Sequence, residues 1–96
     1  MLGFAMRAGK LVIGTELVCS SMPHGKIKLV LISSSASDAT KKKLFTKSEY
    51  YGISAIEVDI DTERLGKILG KTYSPAAVAV VDDGFASEII KASVQN

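Results

Sequence analysis

The chain has 96 residues, of which 47% are hydrophobic, which is typical of one packed domain over residues 1–96 rather than of a disordered tail. Lys and Arg total 12 against 10 Asp and Glu, for a net charge of +2, so the chain is not a strongly basic coat for nucleic acid and any nucleic-acid site must be local. A single cysteine excludes an internal disulfide, and no apolar run approaches the roughly 20 residues that cross a membrane. We therefore expect a cytoplasmic protein with no membrane partner.

The sequence opens with a predicted helix over residues 1–8, followed by a short apolar strand over residues 10–13. Gly14 supplies a permissive backbone after the strand, and the Thr15 hydroxyl is predicted to cap a helix over residues 15–22. Unpaired N–H groups at the start of that helix favour an anion, so we expect a phosphate group there. An ordinary strand-to-helix turn is the alternative interpretation.

This helix is predicted to have one apolar side. Leu17, Val18 and Met22 fall on that side and are expected to pack in the core. Glu16 and Ser20 share another side at i and i+4, so their side chains are expected to be neighbours.

Residues 27–32 form a nearly unbroken apolar run, which predicts a strand that is covered on both faces and central in the sheet. A serine-rich segment, residues 33–38, follows at the carboxyl end of this strand, where open α/β sheets bind ligands. Ser35 and Asp38 have the spacing of a capping box and are predicted to start the next helix. The remaining hydroxyls of the segment, including that of Ser34, are then free for a ligand.

The next helix carries three consecutive lysines, residues 41–43, and is predicted to end at Gly52. The lysines fan around most of a helical turn, which is typical of a solvated face, although they could add diffuse attraction for phosphates. A third strand is predicted over residues 54–58.

Asp61 or Thr62 is predicted to cap a helix with a small apolar side. The side chains expected in the core from this helix are those of Leu65, Ile68 and Leu69. A loop over residues 71–75 leads to a fourth strand, predicted over residues 76–81 because its residues are small or β-branched.

Asp82 or Asp83 is predicted to cap a last helix. The side chains that it should present to the core are those of Phe85, Ala86, Ile89 and Ile90. Helices thus alternate with strands along the whole chain. This alternation predicts an α/β fold, a three-layer α-β-α sandwich around a four-stranded mixed sheet.

The segment 66–72 resembles a nucleotide-binding P-loop but lacks its spacing, because three residues rather than four separate the two glycines. It also ends a predicted helix, whereas a P-loop starts one, so we expect no nucleotide cofactor. Gly66 within this helix costs about 1 kcal/mol relative to Ala, which indicates close packing or the close approach of another backbone.

Catalytic chemistry has little support in the sequence. His24 lies beside a proline in a predicted turn and Cys19 lies in an apolar helix, so helical geometry does not aim the two at each other. We interpret His24 as an exposed turn residue and Cys19 as a small core residue. The acids and the histidine also lack the spacing of a metal site, so no enzyme activity, metal or other cofactor is expected.

A series of short segments covers almost the entire chain with a specific order and spacing. They are LGFAMRAGKLV (residues 2–12) with glycine at 14, KLVLI (28–32), AS (36–37), TKKK (40–43), YY (50–51), LG (65–66), LGK (69–71) and DGFA (83–86). Together they resemble the ribosomal L-seven-Ae and L-thirty-e superfamily of kink-turn RNA-binding proteins, and most closely its small bacterial YlxQ-like branch.

The resemblance implies a non-enzymatic RNA-binding protein of the ribosome or of another structured RNA. It places the RNA against three neighbouring segments, at residues 9–20, 33–36 and 71–77. The residues expected to contact RNA are Lys10, Gly14, Thr15, Glu16, Ser20, Ser34, Ser35, Lys71, Tyr73, Ser74, Pro75 and Ala76. The alternative is a protein-interaction module of the same fold that has lost kink-turn recognition.

The superfamily's helix-start signature is Gly-Thr-Asn-Glu, with a lysine three residues after the glutamate. Gly14 and Thr15 match it, whereas Glu16, Leu17 and Ser20 occupy the Asn, Glu and Lys positions. A carboxylate at the Asn position could accept from a guanine or cytosine amino group, yet it repels phosphates.

Two further expectations follow from the resemblance. Lys10 and Lys71 flank the helix start and the last loop, and they are predicted to contact phosphates. Residues 73–76 are predicted to form an apolar wall against splayed bases, because RNA recognition often uses stacking and shape.

Overall fold

The computed structural model describes residues 11–82 together with Gly84, Ala86, Ser87 and Ile89. The predicted helix over residues 1–8 lies outside the described residues. So do four single residues named above, which are Lys10, Asp83, Phe85 and Ile90.

Within the described part of the chain, four strands form one mixed sheet. They are β1 (Leu11–Ile13), β2 (Leu29–Ser33), β3 (Ser54–Val58) and β4 (Ala77–Val80), in the order β1-β4-β2-β3. Strands β2 and β3 are parallel, whereas β4 is antiparallel to both of its neighbours. Every residue of β2 and β4 is buried, which confirms that the apolar run around β2 is a central strand covered on both faces.

Helices cover both faces of this sheet. They are α1 (Thr15–Ser21), which a short 3-10 turn (Met22–His24) extends, α2 (Asp38–Tyr50) and α3 (Thr62–Ile68). Helices α1 and α2 pack on one face, and α3 packs on the other together with Ala86. The structure is therefore the predicted α-β-α sandwich.

The two-residue period of the strands divides the core into two layers. Val30 and Ile32 of β2 contact the cluster that contains α1 and α2, whereas Leu29 and Leu31 contact the cluster that contains α3. All four side chains are almost completely buried, and each such burial contributes on the order of 2 kcal/mol to stability. A one-residue shift in the register of β2 would move each of these side chains to the opposite face of the sheet.

The start of α2 differs from the prediction. Its N-cap is Ser37, whose hydroxyl accepts a hydrogen bond from the Thr40 N–H at 3.2 Å. The predicted capping by Ser35 and Asp38 is wrong, because the Ala36 N–H donates to the Ser33 carbonyl (3.1 Å) in a turn before the helix. The helix thus begins two residues later than a cap at position 35 would place it.

Two apolar side chains predicted in the core are exposed instead. Leu17 is 60% exposed and Ile68 is 39% exposed. The buried side of α1 and of the 3-10 turn that extends it contains Val18 and Met22, at i and i+4. Leu17 precedes Val18 by one residue and is therefore turned about 100° away from this side.

Helix α3 starts and ends as predicted. The Asp61 carboxylate accepts a hydrogen bond from the Arg64 N–H at 2.7 Å, which identifies Asp61 as the N-cap. Gly70, with a φ of 68°, follows the helix in the left-handed region. Because α3 ends before residues 70–72, the glycine-lysine-threonine sequence leaves a helix, the opposite of a P-loop.

Gly66 is buried in α3, where the loop after the helix crosses it. A Cβ atom at this position would collide with the carbonyl oxygen of Tyr73 and lie 3.4 Å from Cδ of Pro75. The structure therefore confirms the prediction that another part of the backbone, here that of Tyr73, lies close to Gly66. None of the described helices is long and apolar enough to span a membrane.

Candidate nucleic-acid interface

Three chain segments meet where the strands terminate at one end of the sheet: β1, β2 and β3 finish there, and β4 begins there. The Gly14 N–H donates to the Ala77 carbonyl at 3.0 Å, and the Ser33 N–H donates to the Ala76 carbonyl at 2.8 Å. The start of β4 is therefore held between the end of β1 and the end of β2. These are the three segments that the sequence resemblance assigned to RNA.

Helix α1 starts without a side-chain cap. Gly14 is the N-cap residue, with a φ of 104°, and no side chain accepts a hydrogen bond from the first turn. The predicted Thr15 hydroxyl cap is wrong, because Thr15 is already the first helical residue. The first intrahelical bond runs from the Val18 N–H to the Gly14 carbonyl (2.9 Å), so the preceding N–H groups have no carbonyl within the helix.

A cleft of about 510 Å³ lies between the edge strand β1, helix α1 and the loop after α3. Its lining residues are Leu11, Val12, Ile13, Leu17, Ser21, Lys71 and Tyr73. Leu17 and Tyr73 are 60% and 53% exposed, so they offer apolar area at the mouth of the cleft. We call the surface formed by Gly14, Leu17, Lys71 and Tyr73 the strand-end surface.

The loop after α3 presents some of its residues and buries others. The Lys71 N–H donates to the Gly66 carbonyl at 2.9 Å, which fixes the start of the loop. Tyr73 and Ser74 are exposed, Ala76 is half-buried and Pro75 is buried. The expectation that Pro75 offers contact surface is therefore wrong, because Pro75 packs beneath the loop against α3.

The serine segment after β2 has a structural role that the sequence did not predict. The Ser33 hydroxyl donates to the Ile60 carbonyl at 2.7 Å, and the Ser35 hydroxyl accepts from the Thr62 N–H at 2.9 Å. The segment thereby fixes the loop that enters α3, so the expectation of a free hydroxyl is wrong for Ser33, which is completely buried. Ser35 is exposed, and its contact with RNA stays a prediction. Ser34 is half-buried, and its N–H donates to the Val58 carbonyl at 3.0 Å.

The polar side of α1 lies beside α2. The exposed carboxylate of Glu16 is 3.7 Å from Nζ of Lys43, and the hydroxyl of exposed Ser20 donates to the Leu17 carbonyl at 3.1 Å. Lys41 instead pairs with Glu57 of β3 at 3.5 Å. The structure therefore separates the lysines of residues 41–43, and only Lys43 is held against the helix start.

Sequence reasoning did not assign Lys43 to the interface. No local pattern marks it, because its contact with Glu16 depends on how α1 and α2 pack. Exposed ion pairs of this kind contribute at most about 1 kcal/mol to stability. The pair thus contributes little to the fold, but it holds the Lys43 ammonium group beside the first turn of α1.

The residues considered for catalysis or metal binding are separate from this surface. His24 is exposed in the 3-10 turn, and Cys19 is half-buried against the core, as the sequence predicted. Among residues 11–82 and the four described beyond them, no group of three His, Cys, Asp or Glu residues is placed to hold a metal ion.

The fold and this surface define a class: a small α-β-α sandwich with backbone groups, exposed apolar side chains and lysines collected where the parallel strands end. The chain belongs to the Ribosomal protein L7Ae/L30e/S12e/Gadd45 family, whose sequence profile matches residues 1–90.

Individual proteins are similar to most of the chain. The RNA-binding protein YlxQ of Enterococcus faecium is 39% identical over 92% of this chain and 82% of its own length. YlxQ of Bacillus subtilis is 39% identical over 94% of this chain and 88% of its own length. The large ribosomal subunit protein eL30 of Methanosarcina mazei is 28% identical over 93% of this chain and 82% of its own length.

Solved structures share the fold. A Bacillus halodurans protein of unknown function superposes with a TM-score of 0.85 and 36% identity, covering 94% of this chain and 89% of its own. A Giardia lamblia 15.5kD RNA binding protein superposes with a TM-score of 0.76 at 14% identity, covering 94% of this chain and 75% of its own. The second similarity shows the fold alone.

Proposed function

We propose that this chain is a non-enzymatic RNA-binding protein that holds structured RNA, of the kink-turn or ribosomal type, against the strand-end surface. The observation that carries the proposal is the pair of hydrogen bonds from Gly14 to Ala77 and from Ser33 to Ala76. They join at one edge the three segments that the family resemblance assigns to RNA. The RNA-binding names of the YlxQ relatives support the same assignment.

Each part of the strand-end surface suits a different part of an RNA. The ammonium group of Lys71 can pair with backbone phosphates, which position the RNA without reading its sequence. Tyr73 and Leu17 offer apolar area to a base that has left its stack. Affinity should therefore depend on RNA shape and on salt.

The proposal is tested by titrating the protein with a kink-turn RNA and with a fully paired RNA of equal length, at low and moderate salt. We expect tighter binding to the kink-turn RNA and a steep loss of affinity with salt. The plot of log K against log salt has a negative slope, to which each phosphate contact contributes nearly one unit. Lys71→Ala together with Lys10→Ala should therefore make this slope shallower by about 1 to 2.

A matched control is Lys67→Ala, which removes an exposed lysine of α3 that pairs with Glu63 at 3.6 Å. This variant should bind RNA as the unaltered protein does. An unchanged salt slope in the Lys10 and Lys71 double variant would remove these two residues as contacts. Equal, weak binding to both RNAs would favour the protein-interaction module over the RNA-binding protein.

A further inference from the structure

One side of α2 carries two lysines and a tyrosine in a row along the helix axis. Lys43, Lys47 and Tyr50 are spaced at i, i+4 and i+7, so they lie along one side of the helix. The helix's two acids, Asp38 and Glu49, are rotated to the other side by the roughly 100° per residue of an α-helix. We call the side formed by Lys43, Lys47 and Tyr50 the α2 flank.

The α2 flank begins beside the first turn of α1, which follows Gly14 of the strand-end surface. Lys43 lies 3.7 Å from Glu16 at the start of α1, which fixes one end of the flank beside the predicted RNA site. Tyr50 lies seven residues further along α2, or roughly 10 Å at 1.5 Å per residue. An RNA strand that leaves the strand-end surface in this direction would therefore meet Lys47 and then Tyr50.

Tyr50 has the exposure of a stacking platform. Its side chain is 81% exposed, the largest value among the exposed large hydrophobic residues of the described chain. The ring of Tyr51 meets it edge to face, with centroids 4.9 Å apart and planes at 89°, and this contact restricts the orientation of the Tyr50 ring. An exposed, oriented ring next to lysines matches the way in which proteins hold single-stranded nucleic acid.

We propose that the α2 flank binds a single-stranded extension of the RNA that occupies the strand-end surface. Lys43 and Lys47 contact the phosphates of the extension, and Tyr50 stacks on one of its unpaired bases. This inference rests on the proposed function and extends it, because it specifies an RNA with an unpaired tail as the preferred ligand. A duplex extension offers phosphates but no free base face to Tyr50.

The test compares one kink-turn RNA with the same RNA carrying a six-nucleotide pyrimidine tail at either end. We expect the tail to tighten binding by about tenfold, which is the usual scale of one stacked base. Lys47→Ala together with Tyr50→Ala should abolish this gain and leave binding of the untailed RNA unchanged. Tyr50→Phe should keep the gain, because stacking requires the ring and not the hydroxyl.

The same helix offers a matched control in Lys42→Ala together with Phe45→Ala. This variant removes one exposed lysine and one exposed aromatic ring from another side of α2. It should keep the full gain from the tail. Melting curves establish that each variant is folded.

Two outcomes would overturn the inference while leaving the proposed function intact: the tail adds no affinity, or the flank and control variants lose the gain equally. Failure of the unaltered protein to bind either RNA would instead remove the proposed function itself. If the tailed RNA binds with the predicted gain, its complex should also show a steeper salt dependence, by about 0.7 for each added phosphate contact.

Discussion

The charge at residue 16 sets the electrostatics of the first turn of α1. Glu16 is exposed and faces Lys43 of α2 across 3.7 Å, so its carboxylate both repels an incoming phosphate and attracts a lysine that could bind one. Ser20 lies one turn later on the same side, and its hydroxyl is bonded to the Leu17 carbonyl. We therefore expect these residues to contribute little to RNA affinity in their present form.

We predict that Glu16→Asn together with Ser20→Lys strengthens kink-turn binding by about tenfold or more, because one repulsive charge is lost and one cation is gained on the same helical side. Adding Leu17→Glu should strengthen it further, because it completes the superfamily's Gly-Thr-Asn-Glu signature at the helix start. The sequence pattern predicted a buried Leu17, but its side chain is 60% exposed, so a carboxylate there remains hydrated. The affinities of the unaltered, double and triple variants for one kink-turn RNA measure the effect.

Glu63→Gln serves as the control for that series, because it removes an exposed acid of α3 whose partner is Lys67. It should leave RNA affinity nearly unchanged. A folded triple variant that binds no better than the unaltered protein would mean that the surface does not accept a kink-turn RNA, and the protein-interaction module would be preferred.

Ser48 places an unpaired hydroxyl in the core. It is 1% exposed, and its Oγ has no hydrogen-bond partner among the described residues. We predict that Ser48→Ala raises the free energy of unfolding by about 1 kcal/mol, because it removes the desolvation cost of an unsatisfied group. Thr46→Ala, at an exposed position of the same helix, measures the helix-propensity contribution alone. Urea unfolding that shows no advantage of the Ser48 variant over the Thr46 variant would contradict the prediction.

At the scale of elements, the contact between α3 and the following loop links stability to the interface. Gly66→Ala should add about 1 kcal/mol of helix propensity, yet its Cβ would collide with the Tyr73 carbonyl. We expect a net destabilisation of about 1–3 kcal/mol, as in other overpacked cores. The displaced loop should also weaken RNA binding, because it carries Lys71 and Tyr73.

Urea unfolding measures the stability, and RNA titration of the folded variant measures the binding. Lys67→Ala changes the next residue, which is exposed on the same helix, and it should alter stability by no more than about 0.5 kcal/mol. A Gly66→Ala protein as stable as the unaltered one would show that the loop can move away from α3 without cost.

The elements that the sequence predicted best are those whose signals are local. Strand β3 has its predicted bounds, and Asp61 caps α3 as expected, because alternation and capping act between residues near in sequence. The cap of α2 was missed because Ser33 and Ser35 bond to the distant loop at residues 60–62. The contact between Lys43 and Glu16 was missed for a related reason, since the two residues belong to different helices.

At the scale of the whole molecule, the two-layer core determines what the surface can bind. The described residues place apolar side chains from every strand into one of two clusters, with helices closing both faces. The rim at the strand ends therefore remains the place where backbone groups and loops can meet a ligand. The sheet order itself was not readable from the sequence, because β4 pairs with two strands far from it along the chain.

We predict that ATP and GTP leave the melting temperature unchanged within about 1 °C, because the glycine-lysine-threonine segment ends α3 and does not present a helix start. The kink-turn RNA, in contrast, should raise the melting temperature in proportion to the logarithm of its concentration above Kd. Thermal unfolding with each ligand at equal concentration measures both effects. A clear rise with either nucleotide would assign a phosphate site to residues 66–72.

Because β4 lies between β1 and β2, the sheet order determines when, during synthesis, the chain can first bind RNA. Strands β1 and β2 have no direct pairing in the sheet, and both hydrogen-bond to β4. A nascent chain that has emerged only as far as Tyr73 therefore carries every lysine of the predicted interface but not the strand that aligns them. Because the hydrogen bonds to Ala76 and Ala77 complete the strand-end surface, a ribosome-bound chain should capture RNA only after β4 has left the exit tunnel.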